Sequence, residues 1–415
     1  MQVARSIMFF PKTKSGAARS QVIIIALITA ACVAVDAMLY VVLPIHWQEA
    51  GLTSIWQVGI LLSLNRLVRL PLNPVAGWCF SKVRAKTLIM LSTILALCVS
   101  AGYTMANSFA MWAALRILWG IVWSFLKLGG LFTVMDVSDD SNRGCLMGIY
   151  TGTYRLGSLA GMLGGGVIAD IFGLKNACIC GIALSASAIL LTFAKLQRRS
   201  PSQKESISPK KHSWKDIAFS GRFIKIIASC LAVSLVIEGF LAATLSAYLQ
   251  FQAGKTIVIA GIAVGCAAAA GGIQSLRWAW NPLLSPVIGR ISDSSSNRGK
   301  LFCCCCCCSA VLFFLAAIQM PLAPLLLLLL GIELCSTALT TLADALAADL
   351  ASGSQTVFVI TAYTFASDLG AALGPVGGYA LINFTGILPS YAVAGISLAF
   401  MALIWSRHVT KQAAR

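Results

Sequence analysis

About twelve stretches of mostly apolar residues follow one another along the chain, with centres near Ala31, Leu67, Ile94, Ile121, Leu159, Ser187, Ser234, Ala270, Leu312, Gly331, Gly370 and Ser397. Each is roughly 20 residues long, the length an α-helix needs to cross about 30 Å of hydrocarbon. Inside lipid, backbone amides must be satisfied within the segment or in a closed barrel, so this rhythm predicts an all-α integral membrane protein. No soluble domain is 58% hydrophobic with only 11% charged residues. The run from Thr256 to Gly289 is longer than one span requires and leaves room for an extension outside the membrane.

A formal charge of +17 could serve a nucleic-acid partner, but here the basic residues follow the membrane and no nucleic acid is expected. With a cytoplasmic start, 23 of the 31 Lys and Arg fall on the cytoplasmic side, two outside (Lys175 and Lys255) and six within spans. The positive-inside rule then places both termini in the cytoplasm. Arg5, Lys12, Lys14 and Arg19 precede a full-length span without a small-residue cleavage site, which reads as an uncleaved first helix and not a signal peptide. The chain divides into a tail (1–20), a six-helix bundle (21–195), a basic linker rich in Ser and Pro (196–220), a second bundle (221–406) and a tail (407–415).

Fifteen cysteines include six in a row, Cys303 to Cys308, nearly all within spans, where they read as small apolar fillers. No metal and no cofactor is expected. The histidines His46, His212 and His408 fall outside the spans, which argues against a histidine relay in the membrane. No zinc-binding helix or serine elbow is present, so the chain does not read as an enzyme.

The sequence is written twice. "SLNRLVRLPLNPVAG" (63–77) aligns without gaps to "SLRWAWNPLLSPVIG" (275–289), a shift of 212 residues. "YTGTYRLGSLAGMLGGG" (150–166) aligns to "YTFASDLGAALGPVGGY" (363–379) at a shift of 213, keeping most of the glycines. Two segments at nearly one shift indicate a duplication of six helices. The whole chain thereby resembles the major facilitator superfamily, in which two pseudo-symmetric six-helix bundles enclose a site near the bilayer midplane. Its loop motif is degenerate in "GWCFSKVRAK", which keeps Gly77, Lys82 and Lys86 but has Ser81 for the acid. The second copy, "GRISDSSSNRGK", keeps Gly289, Asp293 and Arg298. "RILWG" (116–120) and "GAALGPVGG" (370–378) fit the fourth and eleventh helices of the family. The resemblance implies that these loops gate the transporter, with Asp293 latching onto the start of helix five near Arg143; simple anchoring by basic residues is the alternative.

Eleven ionisable residues lie inside the spans: Arg66, Arg69, Arg116, Lys127, Arg155 and Arg277 against Asp36, Glu238, Glu333, Asp344 and Asp368. A charge at mid-membrane costs about 2.5–3.5 kcal/mol even on the lenient insertion scale, so these groups must face one another or water. With helix two starting near Ile55, Arg66 lies about 17 Å along it, close to the midplane. Asn65, Arg69 and Asn73 repeat every four residues and form one polar stripe beside it. Arg66, Arg69, Asn65, Asn73, Arg116, Arg155 and Arg277 are therefore candidates to bind a solute, with a structural ion pair to Asp368 as the competing reading for Arg66 and Arg69. The packing implied by the resemblance would bring Arg155 near Arg277, a repulsive pair unless an anion lies between them. Asp36, Glu238, Glu333 and Asp368 are the candidates for proton coupling; the alternative makes each the permanent partner of an arginine.

The expectation is a secondary transporter in the bacterial inner membrane, acting as a monomer by alternating access. Its partners would be protons, the bilayer and a small organic solute with an anionic group. A non-transporting sensor or scaffold of the same fold is the second reading, suggested by the loss of the acid at Ser81.

Overall fold

The computed structural model describes residues 14–138, 142–196, 220–254, 256–259, 262–294, 298–350 and 356–413. The chain forms helices α1 (Lys14–Val42), α2 (Ile55–Lys82), α3 (Ala85–Met105), α4 (Phe109–Val137), α5 (Arg143–Phe172) and α6 (Leu174–Lys195), which make the first bundle. The second comprises α7 (Gly221–Ala253), α8 (Cys266–Ser294), α9 (Arg298–Ala316), α10 (Leu322–Leu350), α11 (Thr356–Thr385) and α12 (Ile387–Ala413). The predicted linker lies almost wholly outside the described residues, as do most of the N-terminal tail, His212 and Lys255.

Nine of these helices are long and apolar enough to span a bilayer by composition, among the described residues. The other three are α2, α8 and α11. All three lie at the seams between the bundles, where α2 packs on α11 and α8 on α5. Their polarity faces protein and a central cavity, so hydropathy alone undervalues them.

The long run after Thr256 resolves into two elements. Thr256–Ile259 (β1) and Ile262–Gly265 (β2) pair antiparallel, with Thr256 opposite Gly265, and α8 begins only at Cys266. β-Branched residues dominate the short strands and favour the extended form.

The duplication is visible at atomic scale. Ser63 and Ser275, the aligned first residues of the repeat, each bridge a seam. The Ser63 hydroxyl accepts from Val376 N of α11 at 3.1 Å, and the Ser275 hydroxyl donates to Leu159 O of α5 at 3.2 Å. Gly173 and Gly386, again 213 apart, form one-residue turns between α5 and α6 and between α11 and α12, at φ of 83° and 89°. The glycines of the second repeated segment let paired helices touch by backbone: a Cβ at Gly161 of α5 would strike Ala34 O of α1, and one at Gly374 of α11 would strike Leu235 O of α7.

In the middle of α7 the backbone widens into a π-helical segment, Ser234–Leu241, flanked by regular turns. Such segments are rare and recur at functional sites. This one carries Glu238.

In the loops expected to gate, Asp293 pairs with Arg298 across its own loop, and Arg298 also donates to Asp349 Oδ1 of α10 at 2.5 Å. The expected latch of Asp293 onto the start of α5 falls on the Arg143 side chain, which lies outside the described residues. Lys86 donates to Phe193 O (3.0 Å) and Leu196 O (2.6 Å), closing the C-terminal end of α6, where unpaired carbonyls and the helix dipole attract an ammonium group. Lys82 ends α2. Ser81 bonds back to Trp78 O at 2.7 Å. Gly77 and Gly289 have open space where a Cβ would lie, so close packing does not require glycine at either.

Candidate functional site

A cavity of about 570 Å³ lies between the bundles, lined by α1, α2, α4 and α5 of the first and α7, α8, α10 and α11 of the second. That volume suits a small organic molecule. Asp344, on its wall, is exposed, so the cavity opens at that end.

Among the described residues, nine Arg, Lys, Asp and Glu side chains line it: Arg66, Arg69, Lys127, Arg155 and Arg277, with Asp36, Glu238, Glu333 and Asp344. Two of the acids already have a guanidinium in their own bundle. Asp36 of α1 is paired with Arg116 of α4, and its Oδ1 also accepts from Asn65 Nδ2 at 3.0 Å. Glu238 Oε1, on the π-helical segment, receives Arg277 Nη2 of α8 at 2.6 Å. The two acids sit on corresponding helices, α1 and α7, but their partners do not: Arg116 is on α4, whereas Arg277 is on α8, the counterpart of α2.

Arg116 and Asn65 are thus placed behind the wall. Arg116 is 0% exposed and spends its Nε on Leu61 O at 3.0 Å. A buried guanidinium needs fixed acceptors; Asp36 and a helix carbonyl serve its Nη1 and Nε, while its Nη2 is buried without a hydrogen-bond partner. Asn73, beyond Pro71, is half-buried and off the wall, so the predicted stripe reaches the cavity only at Arg69. Asp368 is half-buried and also off the wall, and no ion pair within 4 Å joins it to Arg66 or Arg69 among the described residues.

The remaining cations have no carboxylate at ion-pair distance among the described residues. Arg66 donates through Nε to the Tyr40 hydroxyl at 2.9 Å, its guanidinium 5.6 Å from that ring's centre. Arg69 Nε is buried without a hydrogen-bond partner. Arg155 rests over Trp278 at 5.1 Å, and Arg277 lies 5.5 Å from the same indole. Arg155 and Arg277 thus share one aromatic ring, whose quadrupole attracts both cations. Of Trp112, Trp119 and Trp123, only Trp123 reaches the wall. Trp112 is buried, stacked on Tyr103 at 5.1 Å and bonded to Ala50 O.

Glu333 differs from the other acids. It is 3% exposed, on the wall, and its Oε2 has no hydrogen-bond partner. Asp344 accepts from the Tyr363 hydroxyl at 2.7 Å. Tyr40 and Tyr363 were not singled out in the sequence; both are paired with charges that were, and an aromatic hydroxyl within a span is the signal that pointed to them.

A family model for the Major Facilitator Superfamily matches residues 25–281 and 281–414. The chain belongs to this superfamily. Among named relatives, the multidrug resistance protein MdtG of Escherichia fergusonii is 24% identical over 265 residues, covering 60% of each chain. MdtG of Salmonella arizonae is 24% identical over 261 residues, 60% of this chain and 61% of its own. The alignments thus span about 60% of the relatives' length. A peptide transporter POT in complex with sulfate has the same fold at a TM-score of 0.76 and 11% identity, over 97% of this chain and 99% of its own. A POT family transporter in complex with 5-aminolevulinic acid aligns at 0.74 and 12%, over 93% and 94%. As a member of the superfamily it is an all-α, multi-pass membrane protein.

Proposed function

We propose that this superfamily member moves a small organic solute with an anionic group across the bacterial inner membrane, coupled to protons, as a monomer with both termini in the cytoplasm. The observation that carries the reading is the excess of positive charge on the cavity wall. Once Asp36 and Glu238 are neutralised by arginines, Arg66, Arg69, Lys127 and Arg155 face only Glu333 and Asp344. Four cations converging in a site partly removed from water repel one another, and an entering anion relieves that repulsion while gaining charge-assisted hydrogen bonds. Arginine forks suit a carboxylate, phosphonate or sulfonate. Glu333 takes the coupling role in preference to Asp36 and Glu238, because a carboxyl with an unpartnered oxygen beside the cavity can take up and release a proton as water reaches it.

Alternating access follows from the seams: the bundles meet through α2 with α11 and α5 with α8, and rocking there exposes the cavity to each side in turn. The test is flux in proteoliposomes under an imposed pH gradient, with a panel of anionic, neutral and cationic solutes of similar size. Gradient-driven movement of anions alone supports the reading. Movement restricted to cations overturns it, and binding without flux would instead favour a sensor.

A further inference from the structure

At the ends of the helices away from the termini, a second group of ionisable residues stands apart from the cavity. His46 lies in the connection between α1 and α2, its side chain 13% exposed. Its Nδ1 is 2.8 Å from Glu49 Oε1, and its Nε2 is 3.9 Å from Asp170 Oδ1 of α5. Each carboxylate uses its other oxygen to cap a helix. Glu49 Oε2 accepts from Leu174 N, the first residue of α6, at 3.2 Å. Asp170 Oδ2 accepts from Ala268 N, in the first turn of α8, at 2.7 Å. Unpaired amides and the positive end of the helix dipole make both caps favourable for an anion. Gly265 leaves the space that Asp170 fills, since a Cβ there would overlap its carboxyl. The Asp170 cap crosses between the bundles.

We propose that His46, Glu49 and Asp170 form a proton-operated latch on the outer face, in which the protonated imidazole holds two capping carboxylates in place and so keeps the outer ends of α5 and α8 together. With the imidazole charged, both acids are compensated and the caps are held. With it neutral, two carboxylates share one ring that can donate to only one of them. The next charged residue in this region, Lys175 of α6, is exposed and makes no ion pair with either acid among the described residues.

Burial alone would lower the affinity of His46 for a proton, but the two nearby carboxylates, Asp170 at 3.9 Å from Nε2 and Glu49 hydrogen-bonded to Nδ1, outweigh it and raise its pKa above 6.5. Burial would push Glu49 up, yet the His46 contact and the Leu174 amide hold it below 4.5. The raised histidine contributes stability that is fully present below the free-histidine value and is lost as pH rises through the folded-state value. The lowered Glu49 contributes stability present above its free value and lost in acid. The latch is therefore tightest in mildly acidic surroundings and loosens towards alkaline pH.

The test uses the full chain in lipid nanodiscs and does not depend on transport. Three histidines make the imidazole resonances tractable by NMR after isotope labelling, and amide exchange of peptides covering 262–275 reports the Ala268 cap. His46 is expected to titrate above 6.5, and Asp170→Asn to lower that value. Protection of the 262–275 amides, corrected for intrinsic exchange, should fall about tenfold per unit by which the folded pKa exceeds the free one. His46→Gln should abolish that pH dependence between pH 6 and 8.5. A His46 that titrates at or below its free value, or protection in the wild type that is flat over this range, would overturn the proposal, as would His46→Gln keeping the wild-type profile.

Discussion

Removing either partner of the Asp36–Arg116 pair should have unequal consequences, and the inequality follows from exposure. The Arg116 side chain is 0% exposed, whereas that of Asp36 is 14% exposed and lies on the cavity wall. Asp36→Leu strands a guanidinium where no water reaches it; losing one partner of a buried pair in this way costs about 3–5 kcal/mol. Arg116→Met leaves a carboxylate that keeps the Asn65 hydrogen bond and can turn to the cavity. Its cost should be nearer the loss of one charge-assisted bond, about 1.5–3 kcal/mol. The double variant replaces the pair by apolar groups and should recover most of the Asp36→Leu loss. A chain of two bundles need not unfold in one step, so the useful measure is the inactivation half-life in mild detergent, followed as the monodisperse fraction at fixed temperature. About tenfold in rate corresponds to 1.4 kcal/mol if the interaction is lost in the transition state. If Arg116→Met proves more harmful than Asp36→Leu, or the two losses simply add, then Arg116 is not the dry partner in a fixed pair and the reasoning fails.

Single replacement of Arg69, Lys127 or Arg155 by Gln should weaken binding of a transported anion by about 10- to 100-fold, the scale of one charge-assisted bond, with thermal stability equal or higher because repulsion among cations is relieved; calorimetric titration beside a melting curve checks both. Glu333→Gln should abolish accumulation driven by a pH gradient while sparing solute counterflow, and unchanged uphill uptake would remove Glu333 from the coupling step. Gly161→Leu, which drives a side chain into the α1 backbone, should lower stability by at least about 2 kcal/mol and cut the yield of monodisperse protein. Ser63→Ala and Ser275→Ala should each cost about 0.5–1.5 kcal/mol and by similar amounts, since the two hydroxyls bridge equivalent seams; unequal shifts in inactivation rate would count against that equivalence.

The helices and their duplication were legible because lipid imposes a length and a polarity on every span, and because Ser63 and Ser275 kept their neighbours through the repeat. The partners of the buried charges were not. Arg116 and Lys127 are eleven residues apart and share a helix face, yet they end in different surroundings. At the depth of Arg116, α1 and α2 cover that face and close on the guanidinium; one further stretch along, the bundles part and Lys127 meets the cavity. Face and depth are written in the sequence, whereas the width of the gap at each depth depends on how neighbouring helices tilt. The π-helical turn at Glu238 leaves no periodicity to read over eight residues. The His46 group was not legible either, because His46 and Glu49 lie in the connection after α1 whereas Asp170 lies at the far end of α5, and only the packing of helix ends brings them together.

Where the strong and weak contacts fall bears on how such a molecule could move. Asp36 with Arg116 and Glu238 with Arg277 each join helices of one bundle, as do the contacts of Arg298 with Asp293 and Asp349. Among the described residues, the polar contacts that cross between bundles are of a weaker kind: two serine hydrogen bonds, the Ala268 amide on Asp170, and Arg155 over Trp278. Rocking one bundle against the other would leave the buried ion pairs named above intact and give up bonds worth about 0.5–1.5 kcal/mol each, or roughly 2–3 for those involving a charge. The sum is several kcal/mol, comparable with the roughly 8 kcal/mol that a micromolar ligand supplies on binding. The charges costliest to separate are paired within one bundle, and the surfaces that would part in the proposed rocking are held by weaker contacts.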